Sequence, residues 1–173
     1  MEPFADHFRV IAVDTRGHGE SPRGTGPFTL SQFAEDLKSF FDQHGISKCH
    51  LLGFSDGGNV ALLFALKYPD RVERLILNGA KLKTQIPIVL GWGLCRLCAL
   101  FSQQAKQNWE MLNLMVTQPH IHRAELAGLD MPVLVVAGEQ DMIRESHTQS
   151  IAANIPNSRL VILPGDHFIA RRN

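Results

Sequence analysis

Residues 53 to 57 read Gly-Phe-Ser-Asp-Gly and follow the apolar pair Leu51-Leu52. This G-x-S-x-G spacing, between a strand and a helix, presents one hydroxyl on a backbone too tight for side chains at the neighbouring positions. A serine displayed that way can attack a carbonyl carbon once a base removes its proton. The backbone N–H of Asp56 and the positive end of the following helix would face the negative charge that forms on the carbonyl oxygen. Without partners the same five residues are only a glycine-rich turn. A histidine and a carboxylate must therefore be found elsewhere.

Eight histidines are available. His167, in "LPGDHF" just after the last expected strand, is the first choice, because that loop can return over the sheet edge. His18, in the first loop at the carboxyl end of another strand, is the second. The carboxylate that fixes the imidazole tautomer is expected to be Asp141, four residues past the preceding strand in "VVAGEQD". Glu139 ranks second and Asp166 third, since side chains adjacent in sequence rarely fold back onto each other. The chain order Ser, Asp, His is the one this motif carries.

These residues need a frame. "FRVIAV" (Phe8 to Val13) reads as a buried strand, and the Gly- and Pro-rich stretch 14–27 as a loop. Leu30, Phe33, Leu37, Phe40 and Phe41 recur at helical spacing, with a capping box at Thr29 and Gln32 and a stop at Gly45. Cys49 to Phe54 is the next strand, and Gly57 to Tyr68 a helix with a small-residue stripe at Gly57, Ala61 and Ala65. Residues 74–80, Pro132 to Ala137 and Arg159 to Leu163 read as further strands, with a helix from about Ser146 to Asn154. Strand–helix alternation implies an α/β fold, a mostly parallel sheet with helices on both faces. Residues 81 to about 128 interrupt the alternation and read as a short helical cap inserted into a single domain, 1–173.

The motifs together resemble those of α/β-hydrolase-fold proteins of the small-cap kind, which include esterases and lactonases. "VIAVDTRGHGESP" resembles the loop after that family's fourth strand and "LLGFSDGGNVAL" its nucleophile elbow. "PVLVVAGEQDMI" resembles its acid-bearing strand and "LPGDHF" its histidine loop. The resemblance implies Ser55 as nucleophile, Asp141 as acid, His167 as base and the Asp56 N–H as an oxyanion donor, with no metal or organic cofactor. A serine nucleophile argues against the dehalogenase and epoxide-hydrolase branches, which attack with a carboxylate. The Asp14-Thr-Arg16-Gly-His18-Gly stretch is expected to order the loop beside the elbow.

The sequence departs from the family pattern at both ends. The family's first three strands, its HG-type loop with the second oxyanion donor, and its final helix have no counterpart here. Its third strand lies between the fourth and fifth, so Phe8 to Val13 and Cys49 to Phe54 would share an empty slot. A truncated product, direct pairing of the two strands, or a second chain in the slot would each account for this, and the first is favoured. Loss of one oxyanion donor would slow turnover roughly 10²–10³-fold. The open sheet would favour instability and self-association.

Lys plus Arg and Asp plus Glu number 17 each, which leaves no net charge to draw nucleic acid or an anionic membrane. No apolar stretch reaches the ~20 residues of a membrane helix. Three cysteines fit a reducing compartment, hence a cytoplasmic location, better than a disulfide framework. The partner expected is a small, mostly apolar substrate held near Phe54, Trp92, Leu97, Phe101 and Trp109. Two other functions fit the same residues: an inactive or ligand-binding remnant of the fold, and a zinc site from Cys95, Cys98, His120 and His122. The second is disfavoured, because Cys95 and Cys98 sit in an apolar segment where cysteines pack as small hydrophobes.

Overall fold

Four short segments rich in Leu, Ile and Val form the sheet in the computed structural model, which describes residues 2–83, 96 and 102–169. They are β1 (Cys49–Phe54), β2 (Val72–Asn78), β3 (Val133–Gly138) and β4 (Ser158–Leu163), all parallel and in the order β1-β2-β3-β4. The register aligns Gly53, Leu77, Val135 and Leu160 in one row. The helices are α1 (Glu2–Ala5), α2 (Leu30–Gln43), α3 (Asp56–Lys67), α4 (Gln103–Thr117) and α5 (Glu145–Ala153). None of those described is long and apolar enough to cross a membrane.

A sheet that advances in sequence order through right-handed crossovers collects its connecting helices on one face. Accordingly α3 packs on β1 and β2, α5 packs on β3 and β4, and α2 packs on α3. Leu75, Leu77, Val133, Val135 and Ala137 are buried in a core with Val60, Phe64 and Ile151. The other face carries Leu52, which is exposed, and Ile76, Leu134, Val136 and Val161, which are half-buried. Helices on both faces were expected; among the described residues the connecting helices cover one.

Helix α2 shows how local sequence sets its ends. The Thr29 hydroxyl accepts the Gln32 N–H at 3.1 Å. The reciprocal half of the expected capping box is not made, because the Gln32 amide donates to Asp36 at 3.1 Å instead. At the other end Ile46 N–H reaches Phe41 O and Gly45 N–H reaches Asp42 O, the paired bonds of a Schellman stop. Leu30, Phe33 and Phe41 are buried as their spacing predicts.

The expected strand from Phe8 to Val13 does not form. These residues form no regular element and are solvent-exposed, with Phe8, Val10, Ile11 and Val13 between 40% and 51% accessible. Phe8 meets His50 edge-on at 5.5 Å, yet β1 forms its ladder with β2 alone. An isolated apolar segment has the composition of a strand but no backbone partner, and pairing is what makes a strand. Direct closure of the empty slot is thus not what the chain does.

The outer edge of β1 therefore has no strand partner among the described residues, and Leu52 beside it is 56% exposed. Open apolar edges template association, and we propose this edge as the route of self-association. Leu52→Lys is expected to move purified protein from aggregate toward monomer in light scattering, with unchanged far-UV circular dichroism. Aggregation equal to that of the parent chain would remove the edge as its cause.

Candidate active site

Strand β1 ends at Phe54 and helix α3 begins at Asp56, so the whole turn falls on Ser55. Its backbone is held at φ 53° and ψ −121°, a region that costs a non-glycine residue about 1–3 kcal/mol. Two backbone hydrogen bonds hold it there: Ser55 N–H to Asn78 O at 2.8 Å and Asn59 N–H to Ser55 O at 3.1 Å. Gly53 makes the turn possible, since a Cβ there would lie 2.3 Å from Gly57 O and 2.6 Å from the Gly58 Cα. The second glycine of the pentapeptide has no such duty. A Cβ on Gly57 would meet nothing within 4 Å, whereas one on Gly58 would lie 3.1 Å from the Ala80 side chain. The small-residue stripe expected at Gly57, Ala61 and Ala65 thus starts one residue later, because α3 already turns Gly57 outward.

The Ser55 hydroxyl does not cap α3, although the residue occupies the N-cap position. It lies instead 3.0 Å from His167 Nε2. His167 Nδ1 is 2.8 Å from Asp141 Oδ1. That same oxygen accepts the Ile143 N–H at 2.8 Å, which fixes the carboxylate within its own turn. The imidazole and the carboxylate are 6% and 1% exposed, so their contact is shielded from water. Asp141 Oδ2 is buried without a hydrogen-bond partner among the described residues. The Asp56 N–H, in the first turn of α3, belongs to the group of helix N–H donors that lack intrahelical acceptors.

Loop-to-loop bonds bring these distant residues to one rim. Glu139 N–H reaches Leu163 O and Gln140 N–H reaches Gly165 O, both at 2.9 Å, so the turn after β3 clasps the turn after β4. The Phe54 ring then lies 5.0 Å from the imidazole and 5.8 Å from Phe168.

Gly79 is a residue that motif reasoning missed. It directly follows β2, which stops at Asn78, two residues earlier than the sequence suggests; its φ is +64° and its N–H reaches Val136 O. A Cβ at this position would lie 2.6 Å from His167 Cε1 and 3.0 Å from Nδ1. The bare α-carbon is the floor under the imidazole, and the only advance signal was a glycine near the end of an expected strand. Gly79→Ala is expected to lower kcat/KM about 10²-fold by displacing the ring, with a melting temperature only a few degrees lower. Unchanged kcat/KM in a folded variant would contradict that role.

A second missed feature is a buried polar chain. Asn59 donates to Asp56 Oδ1 at 3.1 Å and accepts the Lys81 N–H at 2.8 Å. The Lys81 ammonium donates to Met115 O near the end of α4, and burial pushes its pKa below the ordinary lysine value. These bonds tie the elbow to the first residues after β2 and to α4. The sequence signal was a lone amide inside the apolar run of α3.

The remaining candidates fall elsewhere. His18 Nδ1 lies 3.0 Å from Thr15 Oγ1 and the ring stacks on Phe28. Arg16 grips Asp36 with two bonds of 2.8 and 2.6 Å, and Asp14 accepts the Glu20 N–H, so this stretch orders its own loop. Glu139 is exposed, and Asp166 accepts the Phe168 N–H at 2.9 Å. Trp109 is half-buried on α4, while Trp92, Leu97 and Phe101 lie outside the described residues. Cys95 and Cys98 lie outside them too, and among those described no three His, Cys, Asp or Glu side chains cluster as a metal site.

Comparison with known proteins identifies the family and the fold. RutD of Caulobacter sp. (strain K31) is 37% identical over 81 residues, 46% of this chain and 30% of that protein. The chain thus spans about a third of the length of the first curated relatives it matches. The 3-oxoadipate enol-lactonase 2 of Acinetobacter baylyi is 26% identical over 201 aligned positions, covering 95% of this chain and 74% of that one. A solved hydrolase from Pseudomonas aeruginosa PA01 is 30% identical and superposes with a TM-score of 0.76, over 96% of this chain and 75% of its own. The alpha/beta hydrolase fold family matches residues 1–108, so the turn carrying Ser55 lies within the matched region and the chain belongs to that family.

Proposed function

We propose that this chain is a serine hydrolase that cleaves a small, mostly apolar ester, thioester or lactone through an acyl-enzyme. The observation that carries the reading is the pair of short contacts, Ser55 Oγ to His167 Nε2 at 3.0 Å and His167 Nδ1 to Asp141 Oδ1 at 2.8 Å. Ser55 Oγ bonds to the carbonyl carbon while its proton passes to Nε2. The carbonyl oxygen takes the negative charge and accepts the Asp56 N–H. Collapse breaks the C–O or C–S bond, and His167 returns the proton to the leaving group. Water, activated by the same imidazole, then releases the acid and regenerates the hydroxyl.

The substrate class rests on the lactonase relative, which aligns along nearly the whole chain, and on the apolar ring of Phe54 beside the imidazole. No metal enters the proposed steps. The cytoplasmic assignment is part of the same proposal and rests on the odd number of cysteines. Steady-state hydrolysis of short p-nitrophenyl esters, a thioester and a γ-lactone tests the reading, with a chelator present in parallel. Turnover unaffected by the chelator is expected. Binding of these compounds without turnover would favour the remnant reading, for which the open edge of β1 is the supporting observation.

A further inference from the structure

Directly after Gly79 the chain leaves the sheet through Ala80, Lys81 and Leu82, all buried, and Lys83, which is exposed. Side chains from two core helices hold successive amides of this limb. Asn59 of α3 accepts the Lys81 N–H, and His147 of α5 accepts the Leu82 N–H at its Nε2, 3.0 Å away. The Leu82 carbonyl accepts the Ile121 N–H at 2.9 Å, which ties the returning limb of the insertion to the outgoing one. A backbone N–H can only donate, so His147 Nε2 carries a lone pair and the ring is neutral, with its proton on Nδ1. Of the two side chains, only the histidine can change charge near neutral pH.

We propose that His147 is a pH-sensitive latch on the base of the insertion: a proton taken from solvent by Nε2 removes the acceptor of the Leu82 N–H and frees the limb. The charged groups acting on the imidazole come from both limbs, Lys83 on the outgoing one and Arg123 on the 3-10 turn that follows the returning one. Both are cations, so an imidazolium is repelled from two sides. Burial first, and then these two charges, hold the His147 pKa below its ordinary value of 6.5. A released imidazole takes its proton near that value and the latched one only at lower pH. The latch is therefore fully closed above 6.5 and is lost as pH falls through the lowered value. The limb runs straight into Gly79, so its release also loosens the floor under His167.

This inference goes beyond the hydrolytic reading and is tested without turnover. Hydrogen exchange of the full chain is followed in the peptide containing Leu82, corrected for intrinsic rates, in the parent and in His147→Gln. Glutamine keeps a hydrogen-bond acceptor but does not titrate. Protection of Leu82 is expected to fall at least about tenfold between about pH 7.5 and about pH 5 in the parent, and to stay flat in His147→Gln. Equal acid loss in both proteins, or none in the parent, would overturn the latch. Should the variant not fold, imidazole NMR of the parent decides. A shared midpoint for His147 protonation and Leu82 deprotection supports the latch; protonation with Leu82 still protected overturns it.

Discussion

Ser55→Ala is expected to lower kcat for ester hydrolysis by on the order of 10⁵–10⁶ while leaving the fold intact. The reason is local. Ser55 Oγ is the atom within 3.0 Å of His167 Nε2, and alanine removes it while keeping a β-carbon on the same strained backbone. The bonds that hold the turn, Ser55 N–H to Asn78 O and Asn59 N–H to Ser55 O, are both main-chain and survive the change. One side-chain hydrogen bond is lost, worth a net ~1 kcal/mol, and the backbone strain is unchanged, so the melting temperature should move by only a few degrees. The measurement is kcat with a chromogenic ester beside a thermal melt of the same sample. A folded variant that keeps a tenth of parental turnover or more would remove Ser55 as the nucleophile.

Asp141→Asn should cost about 10⁴-fold in kcat without a matching loss of stability. The carboxylate oxygen that faces His167 Nδ1 also accepts the Ile143 N–H. An amide with its oxygen in this place keeps both contacts, but it lacks the charge that favours an imidazolium. With its NH₂ toward Nδ1 it forces the proton onto Nε2, where the ring cannot accept from Ser55. Stability should hold or rise, because a carboxylate 1% exposed with one oxygen unpartnered among the described residues is costly to bury. Glu139→Gln, at the exposed position that competed with Asp141 in the sequence, should leave turnover near the parental value. A loss in Asp141→Asn that merely tracks a lowered melt would reduce Asp141 to a structural group.

Much of this site is legible before any coordinates because its information is local or ordered. Gly53 and Ser55 specify a turn through sterics within six residues, and Asp141 and His167 each follow a recognisable strand at a fixed short distance. The ranking of Asp141 over Glu139 and Asp166 follows from loop length, and the structure brings the first of them to the imidazole. What is not legible is pairing across the sheet. Phe8 to Val13 has strand composition, but a strand exists only when a neighbouring strand pairs with it, and none does so among the described residues. Gly79 was equally hidden, because its duty concerns a ring 88 positions away in sequence, at His167. His147 looked like any helix histidine until the amide of Leu82 was found on its Nε2. Between Gly57 and Gly58 the motif pointed to the wrong glycine, since the pentapeptide is defined by spacing and the close approach by where α3 begins.

The account turns on one proposal, that the Ser55 hydroxyl is unusually nucleophilic because His167 and Asp141 act on it in series. Covalent labelling with a serine-directed phosphonate, read by intact mass and peptide mapping, tests this without knowledge of the natural substrate. One phosphonyl group per chain on the peptide that contains Ser55, absent in Ser55→Ala and slowed in Asp141→Asn, is the result expected. Labelling at other residues, or equal labelling of the folded Ser55→Ala protein, would contradict it.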